Sequence, residues 1–332
     1  MDNRKVRVAV VGLNMGRAHA HAFSRSPLAD LRWVVDLDEG AAQRVAQEVG
    51  CNYATDWSGV LGDVDAVSLC VPHHLHYPMA MEAIEAGKHV LVEKPMANTE
   101  GECLDMIRAA DERGVKLMVA HVNRFRPAAV RLKQAVESGE FGRVISLHGF
   151  VEGYLPPAPG SWFSRKDKLG GGVLFSHGCH DVDFMVYLLG MPKRAACVGS
   201  RIGTEWMEGE GTAHAVLEWE EGAVGSLSVS WGLRYSEQKY RLQVHTTDAL
   251  LLLNTSYTRF DVVNEKGRFT VEEERHEGRP HPGVAVSYEI DHFLRCVIED
   301  RRPLVDGREA LKSLRVIWSM YQWRNERSGA VS

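Results

Sequence analysis

Two stretches of the sequence set ionisable side chains where a reaction would need them. In HVLVEKPMA (89–97) an apolar strand-like run stops at Glu93, Lys94 and Pro95. Proline has no N–H for a sheet ladder, so the strand ends there with an ammonium at its tip. A lysine so placed can stabilise a developing oxyanion. In GGGVLFSHGCHDVDFMVYLLG (170–190) three glycines lead into a helical pattern, with His177, His180 and Asp183 spaced by three. On one helix these would share roughly one face, although Gly178 places the helix start after His177. A histidine at a helix start, beside an acid, suits general-base work. Neither stretch carries a further Glu or Cys with ligand spacing, and neighbouring His73, His74 and His76 in VPHHLHYP do not converge without partners. No metal is expected.

A third stretch would hold a dinucleotide. VGLNMGRAHAHAF follows the first apolar run, where glycines let backbone N–H groups approach a pyrophosphate at a helix N-terminus. Gly12 is present, Asn14 takes the second position, and Gly16 comes one place early, with Met15 between them. The turn is shortened, but Asn tolerates the left-handed conformation better than most residues. Asp36 closes the second strand, twenty residues after Gly16, where a carboxylate can bind the adenosine ribose diol. Leu37 follows it in place of an arginine, which favours NAD over NADP. Pro72, His73 and His76 follow the third strand on the carboxyl edge of the sheet and are expected to line the nicotinamide pocket.

These residues need a scaffold. Apolar runs at 6–11, 31–35, 65–72, 89–92 and 116–120 alternate with helical patterns at 16–26, 40–49, 77–86 and 99–113. Near-continuous apolar strands separated by helices indicate a parallel sheet covered on both faces, a doubly wound α/β domain. From residue 143 short strands follow one another. In AVGSLSVSW, Leu227, Val229 and Trp231 share one face and Ser226, Ser228 and Ser230 the other, which reads as a one-sided antiparallel sheet. Helical patterns at 287–300 and 307–327 close the chain. The expectation is an NAD(P)-binding Rossmann domain at 1–122. A substrate-binding and oligomerisation α+β domain follows at 123–332, its C-terminal helix packing back on the first.

Composition narrows the class. The 332 residues carry a net charge of -5, which offers no electrostatic footprint for nucleic acid or an anionic membrane. Apolar runs such as 249–253 are too short to cross a bilayer. MDNRKVRVAVVG enters a strand within five residues, leaving no room for a signal peptide. Six cysteines are scattered without a CxxC pair, and Cys70 and Cys103, in apolar settings, read as reduced core thiols of a cytoplasmic protein.

VEKPMA, VPHHLH, NRFRP (123–127) and GGGVLFSHGCHDVD together resemble the glucose–fructose oxidoreductase and inositol dehydrogenase (Gfo/Idh/MocA) family. The likeness extends to the closing YEIDHFLRCVIEDRRPLVDGREALKSLRVIW. It implies a Rossmann domain followed by a domain built on a large open, mostly antiparallel sheet. It also implies hydride transfer between NAD and a secondary alcohol of a sugar, sugar acid, inositol or related polyol. Lys94 would reach the nicotinamide ribose and the substrate hydroxyl, beside Glu93 and a cis bond to Pro95. The family's D-x-G-x-H motif places its histidine on His180 and its glycine on Gly178, but its aspartate falls on Ser176. His180 would then act with Lys94 alone, or with His177 or Asp183. Asn123, Arg124, Tyr154, Ser176, His177 and Asp183 are expected around the substrate, with Asn123 also near the cofactor. The missing aspartate leaves two other outcomes open: a retained NAD serving transient oxidation for glycoside elimination, and a non-catalytic NAD-dependent sensor. A homodimer or homotetramer across the open sheet is implied as well.

Overall fold

The computed structural model describes residues 5–156, 158, 160–274 and 283–326. The chain divides into two compact units, Met1–Val122 with His276–Leu311, and Asn123–Arg275 with Lys312–Ser332. The segment ending at Leu311, expected in the second domain, therefore belongs to the first unit.

In the first unit β1 (Val6–Val11), β2 (Ala29–Val35), β3 (Asn52–Ala54), β4 (Ala66–Leu69), β5 (His89–Glu93) and β6 (Leu117–Ala120) form one parallel sheet in the order β3-β2-β1-β4-β5-β6. Between them run α1 (Leu13–Arg25), α2 (Glu39–Val49), α3 (His73–Glu85) and α4 (Glu100–Arg113). The short β3 had no sequence signal, its three residues being largely exposed. Local chemistry fixes the helix ends. Asp38 caps α2, a reciprocal Thr99–Glu102 capping box opens α4, and left-handed Gly50 and Gly114 stop them. The strand order reverses between β1 and β4. In register, Val11 lies beside Val35 and Leu69, and Leu69 beside Val92. Gly12, Asp36, Cys70 and Glu93 thus leave the sheet along one carboxyl edge, where ligands of such sheets bind. α9 (Ser287–Ile298) returns to this unit, packs on α1 and β1, and buries Ile290, Phe293 and Leu294. Each such side chain contributes about 1.5–3 kcal/mol on burial.

The second unit begins with α5 (Pro127–Ser138), which the sequence reading did not place, and β7 (Val144–Glu152). Three short helices follow, α6 (Lys166–Leu169), α7 (Val173–Ser176) and α8 (Cys179–Leu189). The strands β8 (Arg194–Ser200), β9 (Thr212–Glu218), β10 (Val224–Ser230), β11 (Tyr240–Thr246), β12 (Leu250–Asn254), β13 (Arg259–Asn264) and β14 (Gly267–Glu273) complete an eight-stranded sheet. Its order is β14-β13-β12-β11-β7-β10-β9-β8. Every pair is antiparallel except β10 with β7, so the 224–230 strand has one parallel neighbour where two antiparallel ones were expected. Leu147 and Val151 of β7 and Leu227 and Val229 of β10 are buried. A Cβ on Gly149 would stand 2.8 Å from Met185 Cε, so this glycine lets α8 lie close to the sheet. α10 (Gly307–Glu326) begins in the first unit and supplies the second from Lys312 onward. Its Tyr321 hydroxyl donates to Glu210 Oε1 at 2.6 Å, and a Cβ on Gly172 would meet that same carboxylate at 2.2 Å. The glycine run before α7 is thus explained by packing against Glu210 and Tyr321.

Candidate active site

The dinucleotide turn is tighter than the shortened motif suggested. Gly12 has φ 82° and a Cβ there would lie 2.5 Å from the Cys70 carbonyl, so only glycine fits. Helix α1 starts at Leu13, three residues earlier than expected, with Gly12 as N-cap and no side chain capping it. Gly16 faces the sheet, where a Cβ would stand 2.9 Å from Val10 Cγ1. Asn14 and Met15 are exposed on the first turn. With glycine at the N-cap and no acid in the first turn, the N–H groups after Leu13 are left for a phosphate, so the residues fit a dinucleotide. Asp36 is half-buried and ties the turn together. Its Oδ2 accepts the Leu13 N–H at 2.7 Å and its Oδ1 accepts the Asp38 N–H at 3.0 Å.

Two buried histidines fix the strand end that carries Lys94. His19, on the inner face of α1, contacts Ser68 Oγ through Nδ1 at 2.9 Å and Glu93 Oε1 through Nε2 at 3.2 Å. Burial opposes a charged ring, but Cys70 and Glu93 outweigh it and hold the His19 pKa well above its ordinary value. Burial likewise opposes the Glu93 carboxylate, yet His19 and Lys94 keep its pKa below the usual range. Glu93 Oε2 in turn accepts the backbone N–H of Lys94 at 3.0 Å. The Lys94–Pro95 bond is cis. His76 is fully buried, with Nδ1 2.7 Å from the Pro95 carbonyl and Nε2 2.9 Å from that of Val71. Burial lowers its pKa against the pull of both carbonyls.

These positions correct one expectation. Residues 73–76 form the first turn of α3, with Pro72 as N-cap, where the helical pattern was expected to start only at 77. His73 is buried too, its ring 5.6 Å from that of His76. His76 therefore braces the Lys94–Pro95 segment, tying the Pro95 carbonyl to that of Val71. His19 had no assigned role. Its signal was a polar residue in the stripe that Gly16, Ala20 and Phe23 bury along α1.

Glu289 of α9 adds a third ionisable group to this interior. It is 0% exposed, and neither carboxyl oxygen has a partner among the described residues. Burial pushes its pKa up to about 8, with His19 pulling it down and Glu93 pushing it further up. An unfolded glutamate titrates near 4.3. Below that pH the acid is protonated in both states. As pH rises the unfolded chain ionises first, so stability falls by up to about 1.4 kcal/mol per unit until the folded group ionises near 8. Glu289→Gln removes this term. Its stability advantage over the parent should grow between pH 5 and pH 8 and then level off, as read from denaturant midpoints. Parallel pH courses for the two proteins would refute the assignment.

The second unit places the histidines around α7 and α8. His177 caps α7 and His180 sits on the first turn of α8, their rings 6.3 Å apart. His177 thus lies on a different helix from His180 and Asp183, so the three do not share one helix face. The Trp231 indole N–H donates to His177 Nδ1 at 2.9 Å, so the neutral imidazole carries its proton on Nε2. Ser176, where the family motif has aspartate, is buried at the end of α7. Tyr154 bridges Gly232 at the end of β7, with Arg234 stacked 4.2 Å over its ring. Asn123 is half-buried in the single helical turn Val122–Phe125.

Arg124 and Asp183, expected to meet substrate hydroxyls, bind each other. The guanidinium makes two hydrogen bonds of 2.7 Å to the carboxylate, and both side chains are 1% exposed. Asp183 is thereby engaged and does not replace the missing aspartate at position 176. A second fork joins Arg241 to Asp181 at 2.6 and 2.7 Å, with the Tyr257 hydroxyl donating to Asp181 at 3.1 Å. No local pattern marks this second pair, because Arg241 lies sixty residues away on β11.

A dinucleotide turn at the switch point of a parallel sheet, with a braced lysine two strands away, defines an NAD(P)-binding oxidoreductase. Residues 6–121 match the oxidoreductase family with an NAD-binding Rossmann fold, and residues 129–252 match the GFO/IDH/MocA C-terminal domain. The chain belongs to this GFO/IDH/MocA family. It is similar to scyllo-inositol 2-dehydrogenase (NAD(+)) of Bacillus subtilis, at 30% identity over 323 residues, covering 94% of this chain and 92% of the relative. Levoglucosan dehydrogenase of Pseudarthrobacter phenanthrenivorans is 29% identical over 279 residues, 72% of this chain and 71% of the relative. Among solved structures, aldose-aldose oxidoreductase from Caulobacter crescentus, complexed with glycerol, superposes with a TM-score of 0.86. Its identity is 25%, with 97% of this chain and 98% of the other covered. No helix among the described residues is long and apolar enough to cross a membrane.

Proposed function

We propose that this chain is an NAD-dependent dehydrogenase, in the cytoplasm, acting on a secondary alcohol of a sugar, sugar acid, inositol or related polyol. The observation that carries the reading is the bracing of Lys94: Glu93, His19 and Ser68 hold its backbone from one side and His76 holds Pro95 from the other. A lysine fixed this firmly at the ligand edge of a dinucleotide sheet is preorganised to stabilise charge. Bound NAD supplies the hydride acceptor. Lys94 stabilises the negative charge that grows on the substrate oxygen, and His180 takes the proton from that oxygen. Asn123, Tyr154 and His177 serve as substrate hydroxyl contacts, while Arg124 and Asp183 position α8. Asp36 at the end of β2, with Leu37 91% exposed beside it, supports NAD over NADP, because a carboxylate there repels a 2′-phosphate.

The test is NAD and NADP calorimetry followed by absorbance at 340 nm with inositols, aldoses, sugar acids and glycosides. NADH released with one polyol class confirms the reading. Glycoside cleavage with no net NADH would replace it by a retained-cofactor elimination, and NAD binding without any turnover by a sensor.

The open face of the second sheet supports self-association. Val198, Val216 and Val224, each about half exposed, lie there with Ser226 and Ser228 on adjoining strands. A homodimer or homotetramer across this face is expected, and a monomer mass by light scattering would refute it.

A further inference from the structure

The second unit contains a cavity of about 390 Å³ at the ends of β7 and β10, lined by Glu152, Tyr154, His177, Trp231, Gln238 and Arg241 among others. Most of its polar groups are already engaged. Arg241 is neutralised by Asp181 through two short hydrogen bonds. Gln238 donates to the Phe150 and Tyr240 carbonyls and accepts the Glu152 N–H. The Trp231 N–H goes to His177, and the indole ring, 4% exposed, packs against the rings of Phe163 and Trp206. Arg234 stacks 4.2 Å over the Tyr154 ring and is not part of the cavity lining.

Glu152 is different. Its two oxygens accept one hydroxyl each, from Ser228 at 3.2 Å and Ser236 at 2.8 Å, whereas a carboxylate can accept about four hydrogen bonds. Among the described residues no cation lies within 4.0 Å of it. The cavity therefore offers an acceptor carboxylate with capacity to spare; of the carboxylate and guanidinium groups that line it, Arg241 has its counter-ion and Glu152 does not.

We infer that this cavity is a specificity subsite for a neutral polyhydroxylated ring, with Glu152 accepting ligand hydroxyls and excluding carboxylate-bearing analogues. The inference rests on the proposed dehydrogenase reading and narrows its substrate class from sugars and sugar acids to uncharged polyols. A ligand carboxylate would have to sit desolvated beside Glu152, whereas a hydroxyl there gains a charge-assisted hydrogen bond.

The experiment compares glucose with glucuronate and galactose with galacturonate, on the parent and on Glu152→Gln, which keeps size and a carbonyl acceptor. Binding is read by calorimetry on protein saturated with NADH, and kcat/KM by NADH formation. The neutral member should be favoured by about tenfold or more in the parent, and Glu152→Gln should bring each ratio close to one. Equal binding within the parent pairs, an unchanged ratio in the variant, or no binding of any member overturns the subsite. A binding preference without turnover would sink the dehydrogenase reading and leave the subsite standing. Turnover without preference would do the reverse. If Glu152→Gln fails to fold, the parent ratios decide.

Discussion

His180→Ala is expected to lower kcat by about 10²–10⁴-fold while leaving NAD affinity nearly unchanged. The size follows from losing a group that accepts a proton in the transition state. The selectivity follows from placement, because His180 sits on α8 of the second unit while the dinucleotide turn belongs to the first. His177 cannot take over through Nδ1, which already accepts the Trp231 N–H, and Asp183 is bound to Arg124. Single-turnover kinetics and NAD calorimetry on the variant check both halves. An equal fall in NAD affinity would remove His180 from the base role.

Asp183→Ala is expected to cost about 3–5 kcal/mol of stability. It strands the Arg124 guanidinium, 1% exposed, without its carboxylate. The interior cannot solvate that charge as water would, and stacking 4.7 Å over the Tyr187 ring does not replace two charge-assisted hydrogen bonds. Replacing both partners, Arg124→Met with Asp183→Leu, should recover most of the loss, because a well-packed apolar pair escapes the desolvation penalty. Urea unfolding of the single and double variants separates the two effects. A loss under 1 kcal/mol with a large rise in substrate KM would return the pair to the hydroxyl-binding role that the sequence suggested.

The first sheet was legible because its strands are unbroken apolar runs ending at Gly12, Asp36 and Pro95, where residue type alone dictates the stop. The lysine could be read for the same reason: a proline placed it. What could not be read is which polar groups meet across long separations. Glu93 finds His19 across 74 residues and Asp181 finds Arg241 across 60, and no local period records either pairing. The start of α3 was placed four residues late, at 77, because Pro78 fits the first turn of a helix, whereas it stands sixth in α3. At that position it lacks the N–H that would bond the His74 carbonyl, so α3 runs through a residue that ordinarily marks a helix start. The parallel pairing of β10 with β7 escaped for a related reason. Alternating side chains reveal which face is buried but not which way a neighbour runs.

The return of α9 also bears on how the chain is made. The first unit is written in two pieces, with residues 123–275 translated between them. A nascent chain that has reached residue 122 has all six strands of its parallel sheet, but not the helix that buries Ile290 and Phe293 against α1 and β1. The nucleotide-binding unit is thus begun before residues 123–275 and closed only after them, and its apolar flank stays open to chaperones or aggregation until α9 has been synthesised.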